Sequence, residues 1–403
     1  MIKFNPFKPG SIVHPGMFAG RRDELDILEK ALYQTVRGNP SHFLIHGERG
    51  IGKSSLLMLT NAVATGSIES INDNKYNLIT INIELEPNDE YGDIITKIAR
   101  ELSRVIDKNE ALKKNLKKIW EFITNWEVLG VKYKRGNTPV EAMLEELSEK
   151  IIAVAEELKN NNSGIFIFID EADKPPSQAG LGEFVKVFTE RLSKGGANNV
   201  GLGIIGISNV IEKMKESHES SVRIFNPIHL KPLIEKDRKR VIKRGLEEAE
   251  KVNKFTHTIT DGALKLISDL SEGYPYFIQQ YAYSAFDQDA DNNIDESDVQ
   301  TALIKENGAL QLLGQRYFEN MYTDDIRSDD YRKVLQVIAQ HMPDNTTRKQ
   351  IISESGLKDH TINNALTALT KRGSVVAVSG QVGMVRLPSQ SFAVWIRAFK
   401  IVQ

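Results

Sequence analysis

The sequence predicts an α/β fold in which a parallel-sheet core of the αβα type is followed by an all-helical region and a C-terminal winged helix. Short apolar runs alternate with helical stretches from about residue 18 to residue 230, the order typical of a doubly wound parallel sheet. From residue 232 onward, helical stretches follow one another with no predicted strand between them: Glu235–Asn253, Asp261–Leu270, Pro275–Phe286 and Glu296–Lys305. The last part has the order helix, helix, turn, helix, hairpin, which indicates a winged helix-turn-helix.

A chain of 403 residues is too long for one average domain, and three are predicted. The core spans residues 1–231 and includes an extended arm, rich in Pro and Gly, over residues 1–17. A helical lid follows over residues 232–324, and the winged helix occupies residues 325–403. The basic stretch Lys113–Lys118 is interpreted as a solvated helix face, and Trp126–Lys134 as a hairpin or extended insertion.

The composition narrows the class of protein. Hydrophobic residues make up 40% and charged residues 26%, which is ordinary for a globular protein, and the net charge of −2 gives no overall attraction for nucleic acid. The absence of cysteine excludes disulfides, a thiol nucleophile and a cysteine-ligated metal. No apolar run approaches the roughly 20 residues of a membrane span, and Met1–Gly10 lacks the apolar centre of a signal peptide. We therefore expect a cytoplasmic protein.

One stretch fits the phosphate-binding pattern G-x-x-x-x-G-K-[ST], and it lies between an apolar strand, Phe43–His46, and the start of a helix. Its glycines allow a tight turn that points backbone N–H groups inward, and the helix N-terminus adds partial positive charge. Lys53 is expected to reach the β- and γ-phosphates, and Ser54 to offer its hydroxyl to Mg²⁺. The predicted phosphate-binding residues are Gly47, Glu48, Arg49, Gly50, Ile51, Gly52, Lys53, Ser54 and Ser55.

A second acidic element is needed to hold Mg²⁺ and to direct water. The apolar run Gly164–Ile169 is typical of a strand buried on both faces, and it ends in Asp170 and Glu171. This is the Walker B pattern, in which Asp170 would bind the Mg²⁺ shell and Glu171 would polarise the attacking water. A helix cap or a surface acid pair is the alternative. Asp173 also matches the last letter of the helicase D-E-A-D motif, but there is no room for a second helicase lobe, so we interpret Asp173 as structural.

The next predicted strand, Val200–Ile207, ends in Ser208 and Asn209. Asn209 there would face the γ-phosphate and orient the water, as at the sensor position of AAA-type ATPases. A simple strand-end turn is the alternative.

With these parts in place, the chain resembles AAA+/STAND-type P-loop ATPases of the origin-recognition-like group over nearly all its length. The resemblance implies an ATPase that binds ATP or ADP with Mg²⁺. In the segment Phe18–Leu25 it implies that Phe18, Gly20 and Arg21 lie against the adenine and ribose. Gly273-Tyr274-Pro275 resembles the G-x-P motif of STAND ATPases, which implies that Pro275 contacts the nucleotide from the lid.

Two features depart from the replication initiators of this group. Their lid arginine has no counterpart, because the stretch Gly273–Phe286 contains no Arg. This favours a STAND-type protein, in which the nucleotide acts as a switch. Arg223 stands where an arginine finger would reach a neighbour's γ-phosphate, although a surface arginine or a helix C-cap is the alternative.

The predicted recognition helix of the winged helix, Asp359–Lys371, offers Asn363 and Asn364 for base edges, but its basic residues Lys371 and Arg372 lie only at the far end. Packing of the winged helix against the core is therefore favoured over DNA binding. Three hypotheses follow: an ATP-driven signalling or defence switch that forms homo-oligomers or engages an effector protein; a DNA-associated AAA+ ATPase of the replication or transposition kind; and a weakly hydrolysing scaffold.

Overall fold

The computed structural model describes residues 3–11, 18–70, 72–108, 139–159, 161, 163–324, 328–378, 380–381 and 383–401. The stretches Lys113–Lys118 and Trp126–Lys134 lie outside these residues. The chain divides into two compact units. The sheet unit is Ile12–Lys231, and the helical unit combines Met1–Ser11 with Pro232–Gln403.

The sheet unit contains a sheet of five strands, in the order β2-β3-β4-β1-β5. All neighbouring pairs are parallel, which confirms the predicted α/β fold. The sequence predicts each strand, with Asn77–Ile83 for β2 and Pro227–Leu230 for β5, but not this order, which places β4 between β3 and β1. The strands are β1 (His42–His46), β2 (Ile79–Glu84), β3 (Ile165–Asp170), β4 (Val200–Gly206) and β5 (Phe225–His229).

In the described part of the sheet unit one helix precedes β1, and the later helices connect the parallel strands, as such a sheet requires. The last of them was not predicted: it has eight residues and buries only Val210 and Met214, so its hydrophobic periodicity is weak. The helices are α1 (Arg22–Val36), α2 (Lys53–Ala64), α3 (Tyr91–Asp107), α4 (Val140–Lys159), α5 (Leu181–Lys194) and α6 (Val210–Ser217).

The middle of the sheet is packed by aromatic rings that lie over glycines. Phe166 stacks on Phe43 at 5.3 Å and on Phe168 at 5.0 Å between ring centroids. A Cβ at Gly201 would overlap the Phe166 ring, and one at Gly203 would lie 2.5 Å from the Phe43 ring. The spacing of the two glycines in β4 therefore leaves one face of that strand open for these rings.

The helical unit begins with helices that lie close to their predicted bounds, although two short paired strands, β6 (Thr258–Ile259) and β7 (Asn293–Ile294), were not predicted. No helix among the described residues is long and apolar enough to cross a membrane. Two single π-helical turns, Gly314–Phe318 and Asn320–Asp324, follow the last of these helices. The helices are α7 (Glu235–Asn253), α8 (Asp261–Leu270), α9 (Pro275–Gln288), α10 (Glu296–Ile304) and α11 (Ala309–Leu313).

The C-terminal part has the element order of a winged helix. Its antiparallel sheet has the order β8-β10-β9, so the predicted hairpin gains a third, two-residue strand. The final helix was not predicted as an element. The elements are α12 (Asp329–His341), β8 (Thr346–Thr347), α13 (Arg348–Ser355), α14 (Asp359–Lys371), β9 (Val376–Ala377), β10 (Met384–Arg386) and α15 (Gln390–Phe399).

The lid segment and the winged helix share one aromatic core. Phe318 lies 5.7 Å from Phe277 of α9, and 5.2 Å and 5.9 Å from Phe392 and Trp395 of α15, between ring centroids. Tyr281 of α9 is buried and its hydroxyl is hydrogen-bonded to Ser391 Oγ of α15. This shared packing explains why residues 232–401 lie in a single compact unit.

The N-terminal arm differs from its predicted grouping with the sheet core, because residues 3–11 pack in the helical unit. Phe7 is 1% exposed and lies edge-on to Phe286 at 6.3 Å between ring centroids. Lys3 Nζ forms an ion pair of 3.0 Å with the buried Asp289. Asp289 lies in the acidic connection after α9, where its Oδ1 also accepts the amides of Asp291, Asn292 and Asn293.

Candidate nucleotide-binding site

The loop between β1 and α2 has the backbone that a phosphate-binding loop requires. Gly50 and Gly52 adopt left-handed conformations, with φ of 75° and 98°. A Cβ at Gly47 would lie 2.9 Å from the carbonyl oxygen of Leu230. Hydrogen bonding within α2 begins with the bond from the Leu56 amide to the Gly52 carbonyl, so the amides before Leu56 precede the intrahelical ladder. The loop and helix start therefore form an anion-binding geometry.

Lys53 lies among the groups predicted to act on phosphate. Its Nζ donates to the carbonyl oxygens of Gly47 at 3.0 Å and Glu48 at 2.9 Å. Burial lowers the pKa of Lys53, and the negative charges of Asp173, Glu171 and Asp170 oppose this shift. The Lys53 ammonium group therefore interacts electrostatically with Asp170, the last residue of β3, and with Glu171 and Asp173 just after it.

Asp170 and Glu171 stand at the carboxyl end of β3, as predicted. Asp170 Oδ1 accepts the Glu171 amide at 2.8 Å, and burial raises the pKa of Asp170. Glu171 adopts a left-handed conformation with φ of 52°. Non-glycine residues rarely adopt this conformation, which is enriched at functional sites. The surrounding contacts must therefore hold this turn in place.

The strand order brings the Walker B strand, the Asn209 strand and the phosphate-binding strand side by side. Because β4 lies between β3 and β1, Ser208 and Asn209 leave the sheet between the acidic pair and the loop. Asn209 is exposed at the N-cap of α6, and its side chain makes no capping hydrogen bond. Its predicted role in orienting water stays a prediction.

Arg21 packs against the phosphate-binding loop from the side of α1. Its side chain is 7% exposed, its Nη2 donates to the Ile51 carbonyl at 3.0 Å, and its Nη1 lies 3.2 Å from Glu24 Oε1. Gly20 and Arg21 both have positive φ, so the chain turns sharply into α1. Contacts of Phe18, Gly20 and Arg21 with a nucleotide stay predictions, but Arg21 already contacts the loop, which the sequence did not predict.

Two other predicted residues lie away from the loop or in the other unit. β5 pairs with β1 so that His229 lies beside His46, whereas Phe225 lies beside His42 at the opposite end. Arg223 is exposed and precedes Phe225, so it lies at least about 13 Å along the strand from the loop. Its role toward a neighbouring molecule's γ-phosphate stays a prediction. Pro275 is the first residue of α9 in the helical unit.

A histidine pair next to the loop was missed by the sequence reasoning. The rings of His46 and His229 stack with 4.8 Å between centroids and 5° between planes. Burial and the neighbouring His229 lower the pKa of His46, whose Nδ1 is buried and has no hydrogen-bond partner among the residues that the structure describes. No sequence signal was available, because the pair depends on β5 lying beside β1.

Comparisons with known proteins agree with this geometry. A family model described as an AAA ATPase domain matches residues 17–189. The ORC2 protein of Aeropyrum pernix, solved as ADPNP–ADP complexes, has a TM-score of 0.60 at 14% identity, over 99% of this chain and 96% of that chain. Its ADP form has a TM-score of 0.53 at 14% identity, over 98% of this chain and 97% of that chain. No curated protein matches the sequence.

The family match covers residues 17–189, whereas the likeness to ORC2 covers nearly the whole chain. The family match ends within α5, and the likeness to ORC2 extends over the remaining elements as a likeness of fold. The predicted resemblance to P-loop ATPases of the AAA+ type is thereby confirmed. Residues 17–189 are therefore similar to an AAA ATPase domain, in a chain that shares the fold of the ORC2 protein of A. pernix.

Proposed function

We propose that this protein is a Mg²⁺-dependent ATPase that acts as a molecular switch. The observation that carries the proposal is the meeting of Lys53, the acidic pair Asp170–Glu171 and Asn209 at one edge of the sheet. Lys53 binds the phosphates, Glu171 takes a proton from the attacking water, and Asn209 orients that water. The ADPNP and ADP bound by the ORC2 protein of A. pernix support a nucleotide ligand.

The residues predicted to hold the metal suit Mg²⁺. The Ser54 hydroxyl and the Asp170 carboxylate are oxygen donors, which Mg²⁺ prefers. Burial raises the pKa of Asp170, so a cation beside it would stabilise the charged carboxylate. A bound Mg²⁺ would supply charge neutralisation for the phosphates.

The helical unit contains a connection suited to a switch. Gly273, the first residue of the G-x-P turn, accepts the Leu233 amide at 2.8 Å, and Leu233 follows directly on the segment that leaves the sheet unit. The preceding Glu272 accepts the Gln390 amide of α15 at 2.6 Å. If Pro275 contacts nucleotide, its movement would reach the winged helix through this turn. A nearly complete switch requires ATP to prefer one arrangement by about 5.5 kcal/mol.

Nucleotide binding and hydrolysis by four variants test the enzymatic part. We expect Lys53→Ala to lose ATP binding, because it removes the phosphate ligand. Glu171→Gln should bind ATP but lose at least about 100-fold in hydrolysis, because the amide cannot take the proton. Asn209→Ala should also reduce hydrolysis with binding retained. Glu219→Gln, an exposed carboxylate between α6 and β5, is the matched control and should behave as wild type.

Two results would contradict these assignments. If wild type binds no ATP, the proposed function is wrong. If Glu171→Gln hydrolyses ATP at the wild-type rate, Glu171 is not the base.

The mass of the protein with ADP, with ATP, and with ATP plus duplex DNA separates the switch from the two other functions. Assembly with ATP alone supports a switch that forms homo-oligomers. A DNA complex with steep salt dependence, lost in Lys371→Ala with Arg372→Ala, favours a DNA-associated ATPase. The exposed Asn363, Asn364 and Lys371 of α14 keep that alternative open to test. ATP binding without hydrolysis or a change of mass favours a scaffold.

A further inference from the structure

The turn after the Walker B strand is docked onto the segment that carries Asn209. The Ala172 amide donates to the Ile205 carbonyl at 2.9 Å, next to the last residue of β4. One residue later, Asp173 Oδ1 accepts the Ile207 amide at 2.8 Å. These bonds join the two residues after Glu171 to Ile205 and Ile207, which lie four and two residues before Asn209.

Asp173 is built into this junction. It is 7% exposed, although a carboxylate is rarely buried without partners. A Cβ at Gly206 would lie 2.9 Å from Asp173 Oδ1, so a residue larger than glycine there would crowd the carboxylate. The carboxylate thus occupies a fitted position at the carboxyl ends of β3 and β4. The interpretation of Asp173 as structural stays a prediction, and its negative charge also opposes the effect of burial on the pKa of Lys53.

Lys213 of α6 also forms hydrogen bonds to the turn that follows β3. Its Nζ donates to the Asp173 carbonyl at 2.5 Å and to the Pro175 carbonyl at 2.9 Å. Lys213 follows Asn209 by one turn of α6, and its amide donates to the Asn209 carbonyl at 3.1 Å. Helix α6, whose N-cap is Asn209, is therefore hydrogen-bonded directly to the turn that begins at Glu171.

Glu171 needs such support because of its left-handed backbone. A bond from the Lys174 amide to the Glu171 carbonyl, 2.9 Å long, closes the turn, and Lys174 Nζ forms an ion pair of 2.8 Å with Glu84 at the end of β2. The turn is thus held from both neighbouring strands.

We propose that Asp173 and Lys213 are positioning residues that hold Glu171 and Asn209 in a fixed mutual geometry for ATP hydrolysis. This rests on the function proposed above. A displacement of about 1 Å of a catalytic group can lower a rate by about 100-fold, whereas the hydrogen bonds described for this junction join residues outside the P-loop. The effect of losing either residue should therefore fall on kcat and not on KM.

The test compares four variants of the full chain by ATPase kinetics. Asp173→Ala and Lys213→Met should each lower kcat at least about tenfold and change KM by less than about threefold. Asp173→Asn keeps an acceptor for the Ile207 amide and should retain kcat within about threefold. Ser177→Ala is the matched control, because it removes a hydrogen bond between the same turn and Glu216 of α6, farther from Glu171.

Hydrogen exchange of the Ile207 amide supplies a readout independent of activity. It should become faster in Asp173→Ala and stay near wild type in Asp173→Asn. Wild-type protein without ATPase activity would contradict the proposed function, and the exchange data would still test the junction. The positioning role is wrong if Asp173→Asn is as impaired as Asp173→Ala, if the losses fall on KM, or if Ser177→Ala lowers kcat equally.

Discussion

His42, the first residue of β1, makes the stability of the sheet unit depend on pH. Its Nδ1 accepts the Leu202 amide at 3.1 Å, so this nitrogen carries no proton. Burial lowers the pKa of His42 to about 4. The folded protein therefore holds the neutral ring at pH values at which an exposed histidine binds a proton.

We expect the sheet unit to lose stability in acid through this residue. Since the folded pKa is depressed, the unfolded chain takes up the proton first as pH falls below 6.5, and the loss is complete near pH 4. The shift corresponds to about 3 kcal/mol in the free energy of unfolding. His42→Asn, which keeps an acceptor near the Nδ1 position but does not titrate, should show a shallower decline between pH 6.5 and 4.

Urea unfolding of wild type and His42→Asn at several pH values measures this difference. Parallel pH profiles for the two proteins would show that His42 does not contribute to acid sensitivity.

The positions of the candidate phosphate- and metal-binding residues could be predicted because their motifs are local in the sequence. Lys53, Ser54 and Asp170 each stand at a fixed distance from a strand or helix end, and the structure keeps them there. The contacts of Arg21 with Ile51 and of Asp173 with Ile207 could not be predicted. They depend on which strands are neighbours, and the chain order β1 to β5 does not reveal the sheet order.

At the scale of the elements, the N-terminal arm is fixed to α7 by packing and by hydrogen bonds. Phe7 lies against Gly245 in the middle of α7, where a Cβ would overlap its ring. A glycine inside a helix costs roughly 1 kcal/mol relative to alanine, and the bound ring explains its presence here. Asn253 fixes the arm further, since its side chain bonds both the amide and the carbonyl of Phe4.

Truncation of Phe7 should destabilise the helical unit. We expect Phe7→Ala to lower its free energy of unfolding by about 3–4 kcal/mol, because a fully buried aromatic ring is lost and a cavity remains. Phe4→Ala is the matched control, since Phe4 is 38% exposed and should cost little. Denaturant unfolding followed by a probe in residues 232–401 measures both, and similar losses for the two variants would contradict the packing described for Phe7.

Element bounds in the helical unit were predictable where hydrophobic periodicity is strong, as in α7 and α8, which match their predicted ranges. The strand pair β6–β7 and the third strand of the wing were not, because two-residue strands leave no periodic signal. The packing of the N-terminal arm in the helical unit could not be predicted either. The sequence of an irregular segment does not indicate which distant part of the chain it contacts.

At the scale of the whole molecule, Glu272 connects the turn before α9 with the last helix. Its carboxylate accepts the amides of Gln390 and Ser391 at the N-terminus of α15, where negative charge is favoured. Ser391 Oγ in turn donates to the Leu270 carbonyl at 2.9 Å. The segment that leads into the G-x-P turn and the start of α15 are therefore joined by three hydrogen bonds.

Loss of this carboxylate should loosen the start of α15. We expect Glu272→Ala to speed hydrogen exchange in residues 390–393 by about tenfold, because the first amides of α15 lose a charged acceptor. Glu272→Gln keeps a neutral acceptor and should stay closer to wild type. Exchange followed by mass spectrometry measures both variants, and equal exchange in wild type and Glu272→Ala would show that the bond does not hold the helix.

The packing of residues 3–11 with residues beyond 232 also has a consequence for biosynthesis. In the order of translation, the sheet unit is an insertion within the helical unit, so the arm leaves the ribosome long before its binding surface exists. Gly245 follows Phe7 by about 240 residues, which corresponds to roughly 10–50 s of elongation at 5–20 residues per second. During that time the sheet unit can fold, whereas the arm can pack against the helical unit only after residues 232–403 have been synthesised.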